Sequence, residues 1–230
     1  LVFLAVAGNE KRAAAGLTRQ NWKSAVLIVL AFVGIYIVRT VVSVAVQGVS
    51  DGSGMQHVKE WAAMFKNPMM WLNIAALPIN YFFVFIAFFG EEYGWRYYLQ
   101  PVLQKRFGLR AGVIILGVVW GLWHIPDDLF YYTQTSGIQM IFAQQITCIS
   151  LGIFFAYAYM KTQNIWVPVC LHYLNNNLIP IISGTFSADV LENQTVSWKD
   201  LPVALVLNGL CFGFFLLADV FKKKEVQEEE

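Results

Sequence analysis

Residues 73 to 100 read NIAALPINYFFVFIAFFGEEYGWRYYLQ, an apolar run that passes without a break into Glu91, Glu92 and Arg96. About twenty apolar residues carry a helix across the roughly 30 Å hydrocarbon core of a bilayer. A charged side chain near the middle of such a helix costs about 2.5 to 3.5 kcal/mol on insertion scales. The stretch therefore predicts a transmembrane helix whose charges have partners. Glu92 and Arg96 are four residues apart and share a helical face, which favours an intrahelical ion pair. Glu91 is turned about 100° from that face and has no local partner.

The rest of the chain fits the same class. Of its 230 residues 57% are hydrophobic and 13% charged, with a mean hydropathy of +0.53. This composition describes an integral membrane protein and predicts an all-α, polytopic transmembrane helix bundle. A formal net charge of +1 supplies no bulk attraction to nucleic acid, so the expected partners are the lipid bilayer and membrane peptides or proteins. Cys148, Cys170 and Cys211 form no C-x-x-C pair and read as buried thiols.

Apolar spans cover about 24–47, 70–93 with an extension toward 104, 110–126, 138–161, 165–183 and 202–221. Six complete crossings are expected, and LVFLAVAG at the start reads as the remnant of a further helix. Three regions follow: 1–69 with the helix remnant, a basic loop and one crossing; 70–183, a helical core carrying the polar residues; and 184–230, a loop, the last crossing and a charged tail. Lys and Arg cluster around Arg12 and in the closing FKKK, which puts the basic loop and the C-terminus in the cytoplasm. The short Lys-rich loops and compact size point to a bacterial plasma membrane.

Two of the three histidines also lie in apolar surroundings, His124 in VVWGLWHIP and His172 in VPVCLHYLNNNL. His57 sits in a polar loop and is not expected to take part in chemistry. Trp120 and His124 are four apart, as are His172 and Asn176, so each pair projects from one helical face. With a turn near Phe107, Glu91 lies 16 residues before it and His124 17 after it. At 1.5 Å rise per residue both are roughly 25 Å from the turn, at one level. A kink at Pro101 would make that depth shallower. His172 is only seven residues beyond Ile165, so its helix must start below the surface or tilt.

Taken singly, the Glu–Arg pair reads equally well as a fastener between helices, and a membrane histidine as one satisfied by a carbonyl. Asn175 and Asn177 read as polar links between helices. Glu, His, His and Asn together at matching depth point to chemistry. No H-E-x-x-H sequence occurs, and Cys170 does not share a face with His172. The residues then allow a carboxylate and an imidazole to activate a water, with a second His and an Asn as oxyanion donors. Alternatively Glu91, His124 and His172 bind zinc and leave an open position for water. Either arrangement needs a cavity open to the cytoplasm.

These residues resemble a known family. GEEYGWR is similar to the E-E-x-x-x-R motif, WGLWH to F-x-x-x-H and HYLNN to H-x-x-x-N of the CPBP intramembrane proteases, also called CAAX-protease and bacteriocin-processing (Abi) proteins. The resemblance covers about residues 70–180 and implies a membrane endopeptidase. It implies that Glu91 and His124 activate water, that His172 and Asn176 hold the oxyanion, and that Glu92 and Arg96 support them. Trp120 stands where the second motif usually has Phe and keeps an aromatic wall. Tyr97 stands where Gly is often found and is expected to narrow the cavity. Family members are described both as metalloendopeptidases and as glutamate-type proteases, so zinc is implied as one alternative. Some relatives remove the last three residues of prenylated CAAX proteins, and others mature peptides, confer bacteriocin self-immunity or regulate signalling. A second reading, borrowed from relatives that have lost motif residues, is a scaffold or regulator of another membrane protein. A transporter fits less well, because no half-helix breaks recur in two halves.

Overall fold

The computed structural model describes residues 8–184, 190 and 192–222, and every regular element among them is helical. Helix α1 spans Asn9–Ala14, α2 Trp22–Ser50, α3 Gln56–Met64 and α4 Pro68–Glu92. A π-helical segment, Tyr93–Leu99, joins α4 to α5, Gln100–Phe107. Then follow α6 (Leu109–Trp123), α7 (Ile125–Phe130), α8 (Gly137–Thr162), α9 (Trp166–Ser183) and α10 (Asp200–Cys211), with 3₁₀ turns at Gly213–Leu217 and Asp219–Phe221.

Helix α4 begins at Asn67, whose side chain accepts from the Met69 N–H at 3.0 Å, with Pro68 in the first turn, a start that suits proline because its missing N–H has no helical partner there. The chain then stays helical for 40 residues, to Phe107. No isolated kink marks Pro101. The ladder instead widens over the seven residues of the π segment that end just before Gln100. Pro101 has no N–H to give to the Tyr97 carbonyl, and its ring crowds the preceding turn; a wider i→i+5 pattern accommodates both.

Gly108, at φ 89°, reverses the chain into α6, in backbone territory that favours glycine. The hairpin so formed is tight: a Cβ on Gly112 would lie 2.6 Å from the Gln104 backbone nitrogen. His124 falls at the junction of α6 and α7 rather than inside a continuous helix.

Among the described residues four stretches are long and apolar enough to cross a membrane, Trp22–Ser50, Pro68–Phe107, Leu109–Phe130 and Gly137–Thr162. The polytopic helical bundle is thus borne out, and these four stretches match four of the six expected crossings. Helix α9 has 18 residues and carries the polar Asn175–Asn176–Asn177 run. The last expected span breaks after α10, which has only 12 residues. Phe212 leaves helical geometry there, at φ −124° and ψ −40°, between Gly209 and Gly213, residues that hold a helix poorly. The expected helix remnant at Leu1–Ala7, part of the 184–199 loop and the tail beyond Lys222 lie outside the described residues.

The core is aromatic. Phe32 of α2 stacks on Phe154 of α8 at 5.6 Å, and Phe212 packs on both. Phe82 and Phe83 of α4 point outward at 71% and 72% exposure, as a lipid-facing helix surface should. Asn175 and Asn177 join helices as expected: Tyr36 Oη donates to Asn175 Oδ1 at 2.5 Å and Asn80 Nδ2 to Asn177 Oδ1 at 3.2 Å.

The start of α9 is buried, which answers the level problem of His172. Asn164 Nδ2 donates to the Gln20 carbonyl at 3.1 Å, Asn21 Nδ2 to that of Thr162 at 3.0 Å and Thr18 Oγ1 to that of Gln163 at 3.2 Å. Residues 14–21 therefore cover the entry to α9, and Ile165 beneath them is 0% exposed. Tyr97 belongs to this cover rather than to the cavity. Its hydroxyl donates to the Ala14 carbonyl at 3.2 Å and its ring stacks on Tyr93 at 4.6 Å, so it faces away from His172 and does not narrow the site.

Candidate active site

Glu92 and Arg96 are both 0% exposed, and Arg96 Nε donates to Glu92 Oε2 at 2.9 Å. The ion pair predicted from their spacing is present. The other carboxylate oxygen reaches across the bundle: His172 Nδ1 lies 2.9 Å from Glu92 Oε1. A buried charge pair is tolerable only with such additional hydrogen bonds, since desolvation of each ion is expensive. Arg96 also lies 5.3 Å over the Trp120 ring and 5.5 Å over Phe155, a cation–π arrangement that suits a weakly hydrated guanidinium. Its two Nη atoms are buried with no hydrogen-bond partner among the described residues.

Trp120 is the wall the spacing predicted, and it serves both imidazoles. Its ring meets His124 edge-on at 5.9 Å and His172 at 5.3 Å. Contacts of Trp120 with His124, His172 and Arg96 thus gather the Glu92–Arg96 pair and both histidines around one indole. His124 Nδ1 lies 2.9 Å from the Trp120 carbonyl. A carbonyl only accepts, so Nδ1 carries the proton and Nε2 of a neutral His124 is left as the base. By the same logic His172 gives its Nδ1–H to the carboxylate of Glu92.

His124, His172, Asn175 and Asn176 line one cavity of about 360 Å³, together with Cys148 and Gln144. Asn175 Nδ2 donates to Asn176 Oδ1 at 2.8 Å, which leaves the Asn176 amide hydrogens uncommitted. Glu91 is half-buried, and among the described residues it has no hydrogen bond or ion pair. It is not among the residues lining the cavity, yet it is an electrostatic neighbour of Cys148, whose Sγ is 3.9 Å from His124 Nδ1. Cys148 is buried as expected. His124 cannot deprotonate it through Nδ1, because that nitrogen already carries its hydrogen.

Asp128 went unrecognised in the sequence, where PDDLFYYTQTSG reads as a polar loop. It is 0% exposed in α7, neither carboxylate oxygen has a hydrogen-bond partner among the described residues, and it too is an electrostatic neighbour of Cys148. Its position four residues after His124 was the available signal. His57 pairs instead with Asp51 at 2.6 Å in an exposed turn.

Glu91, His124 and His172 are not gathered as zinc ligands. Among the described residues no three His, Cys, Asp or Glu side chains come together in a way that could hold a metal ion. This donor set does not fit zinc in this arrangement, and no chemical step below is derived through a metal.

Two comparisons with known proteins gave a match. The model of the Rce1-like type II CAAX prenyl endopeptidases matches residues 71–178. The CAAX prenyl protease 2 of Methanococcus maripaludis is 27% identical over 125 residues, which cover 50% of this chain and 45% of that protein. The match thus spans about half of each chain. No solved structure matches at a significant level. Residues 71–178, which carry every candidate site residue from Glu91 to Asn176, are thus similar to the Rce1-like type II CAAX prenyl endopeptidases.

Proposed function

We propose that the protein is an intramembrane endopeptidase that hydrolyses a peptide bond of a membrane-associated or lipid-modified substrate. The observation that carries this reading is the clamping of two imidazoles at Nδ1 on one cavity, one by a neutral carbonyl and the other by a carboxylate. The Trp120 carbonyl holds His124 as a base at Nε2, and Glu92 holds His172 with its hydrogen at Nδ1.

A water positioned by Glu91 and His124 loses its proton to His124 Nε2 as its oxygen adds to the scissile carbonyl carbon. The C=O π pair moves onto oxygen. That oxyanion accepts from the Asn176 amide and from Nε2–H of a protonated His172, donors fixed in place before charge develops. Collapse of the adduct breaks the C–N bond, and the His124 imidazolium returns its proton to the leaving amine. Arg96 and Glu92 touch no reacting atom and act by holding His172 and Trp120. The relative's name speaks of prenylated CAAX substrates; the apolar surroundings of the cavity suit a substrate that arrives from the membrane. The basic loop and the C-terminus would face the cytoplasm.

The test is cleavage of a peptide library by the purified protein in proteoliposomes, with wild type and Glu91→Gln side by side, each with and without a chelator. Cleavage by wild type that Glu91→Gln abolishes, with its melting temperature unchanged and with no effect of chelator, supports metal-free water activation. Loss of activity on chelation alone moves the chemistry to zinc. No cleavage by either, together with a stoichiometric membrane-protein partner, selects the scaffold reading.

A further inference from the structure

The turns of the chain are sorted by their contacts onto two faces of the bundle. Residues 18–21 hydrogen-bond to Thr162–Asn164 after α8, Gln104 of α5 donates to Met160 Sδ at 3.2 Å near the end of that helix, and the Phe107–Ala111 turn shares a cavity with Phe221 and Lys222. At the other ends of these helices Trp61 Nε1 donates to the Ile182 carbonyl at 2.8 Å, the Gln194 N–H to the Tyr132 carbonyl at 2.9 Å and the Val196 N–H to Ser136 Oγ at 3.0 Å. Residues 51–66, 131–137 and 182–200 therefore form the opposite face. The first face carries Arg19, Lys23, Lys105, Arg106, Arg110 and Lys161, and the second has the smaller share, Lys59, Lys66 and Lys199. Loops rich in Lys and Arg stay in the cytoplasm, which makes the second face extracytoplasmic. The cavity that holds His124, His172 and Asn176 is also lined by Tyr131, Tyr132 and Gln194 of that second face, and Tyr131 is 46% exposed there. Toward the basic face the described residues are packed shut: Leu116, Phe155, Ala158, Ile165 and Val169, which lie on that side of the histidines along α6, α8 and the start of α9, are all 0% exposed.

We infer that the site opens to the extracytoplasmic side of the membrane and takes a membrane-anchored peptide whose scissile bond is presented there. The opening follows from packing and charge alone, and the side of the substrate rests on the proposed endopeptidase activity. At 1.5 Å rise per residue, His124 lies about 9 Å from the end of α7 at Phe130 and about 22 Å from the start of α6 at Leu109. The shorter path is the open one. A core at the packing density of a protein interior leaves no channel for a peptide or for bulk water, so the basic side cannot supply either. Water reaches His124 past Tyr131 and Tyr132, not from the cytoplasm as the sequence predicts. Tyrosine rings and the Gln144 amide give the mouth the amphipathic lining of a membrane interface, which suits a polar peptide backbone entering beside its own anchor.

The experiment is thiol labelling of the full chain in intact spheroplasts and in inside-out vesicles with the membrane-impermeant reagent trimethylammonium-ethyl methanethiosulfonate, in a background with Cys148, Cys170 and Cys211 replaced by Ala. Tyr131→Cys at the mouth and Gln144→Cys within the cavity are expected to be labelled in spheroplasts, and Lys161→Cys only in inside-out vesicles. Melting temperatures identify the folded variants, and Thr147→Cys, also in the cavity lining, replaces Gln144→Cys if that variant unfolds. Labelling of Tyr131→Cys in inside-out vesicles alone, or of the cavity cysteine from the cytoplasmic side alone or from neither side, would overturn the opening. In proteoliposomes sorted by orientation, the library peptide cleaved fastest is then offered from one face at a time. Cleavage from the Tyr131 face and its loss from the Lys161 face are expected, and cleavage from the Lys161 face alone overturns the side of the substrate. No cleavage from either face removes the endopeptidase reading and the side of the substrate with it, while the labelling still decides the opening.

Discussion

Glu92 Oε1 lies 2.9 Å from Nδ1 of His172, a hydrogen bond between residues 80 apart in the chain, while the other oxygen of the same carboxylate holds Arg96. One buried carboxylate therefore fixes two helices relative to each other. Glu92→Gln leaves the Arg96 charge buried without its counter-ion, and breaking a buried pair in this way costs about 3 to 5 kcal/mol. Thermal melts in detergent should show that loss. The double variant Glu92→Gln/Arg96→Met should recover most of the stability but not the activity, because His172 has lost its carboxylate partner. A stable and fully active Glu92→Gln would remove Glu92 from its place beside His172.

Asn176 is exposed to the cavity and its amide hydrogens are uncommitted, so its removal should leave the fold intact. Loss of one oxyanion donor typically lowers kcat by about 10² to 10³. Asn176→Ala is expected to lose rate on that scale with KM little changed. Asn175→Ala should act differently, lowering stability through the lost Tyr36 link. A KM effect without a kcat effect in Asn176→Ala would place the amide in substrate binding instead.

Asp128 sits one turn beyond His124 with two unpartnered oxygens. Asp128→Asn keeps the shape and removes a buried charge, which should stabilise the protein by about 1 kcal/mol or more. The same change is expected to slow cleavage, since the carboxylate's field favours the imidazolium formed when His124 takes the proton of water. Parallel melting curves and initial rates test both halves. A variant that is less stable, or equally fast, contradicts this role.

The Asp51–His57 pair supplies a pH dependence outside the membrane spans. The hydrogen bond from His57 to Asp51 raises the His57 pKa, and hydrogen bonds from Ser53 and His57 lower that of Asp51. The raised His57 contributes stability that is fully present below its unfolded pKa of about 6.5 and fades as pH rises through its folded value. The lowered Asp51 contributes above its unfolded pKa of about 3.9 and fades as pH falls through its folded value. The pair should therefore stabilise most between about pH 4 and 6.5. NMR titration of His57 should give a pKa above the ordinary value. The difference in melting temperature between wild type and His57→Ala should shrink toward alkaline pH, with cleavage unaffected throughout.

Local spacing made much of this site legible. Glu92 and Arg96, Trp120 and His124, and His172 and Asn176 are each four residues apart, and helical geometry alone gives each pair a common face. The turn at Gly108 follows from a glycine between two apolar runs, and equal distances from that turn give the expectation that the acidic pair and His124 share a level. Composition likewise fixed the membrane class, because a chain this apolar has few other ways to satisfy its backbone.

Tertiary structure decided what spacing cannot carry. The Glu92–His172 bond joins α4 to α9 through packing of distant segments, and the buried start of α9 depends on hydrogen bonds from residues 18–21. The burial of Asp128 was hidden because a polar loop and the end of a membrane helix read alike until α7 folds back against α8. The sequence by itself determined which groups share a helical face, since a helix has a fixed period. Only the folded bundle decided which faces meet, since that depends on how the helices tilt, start and pack.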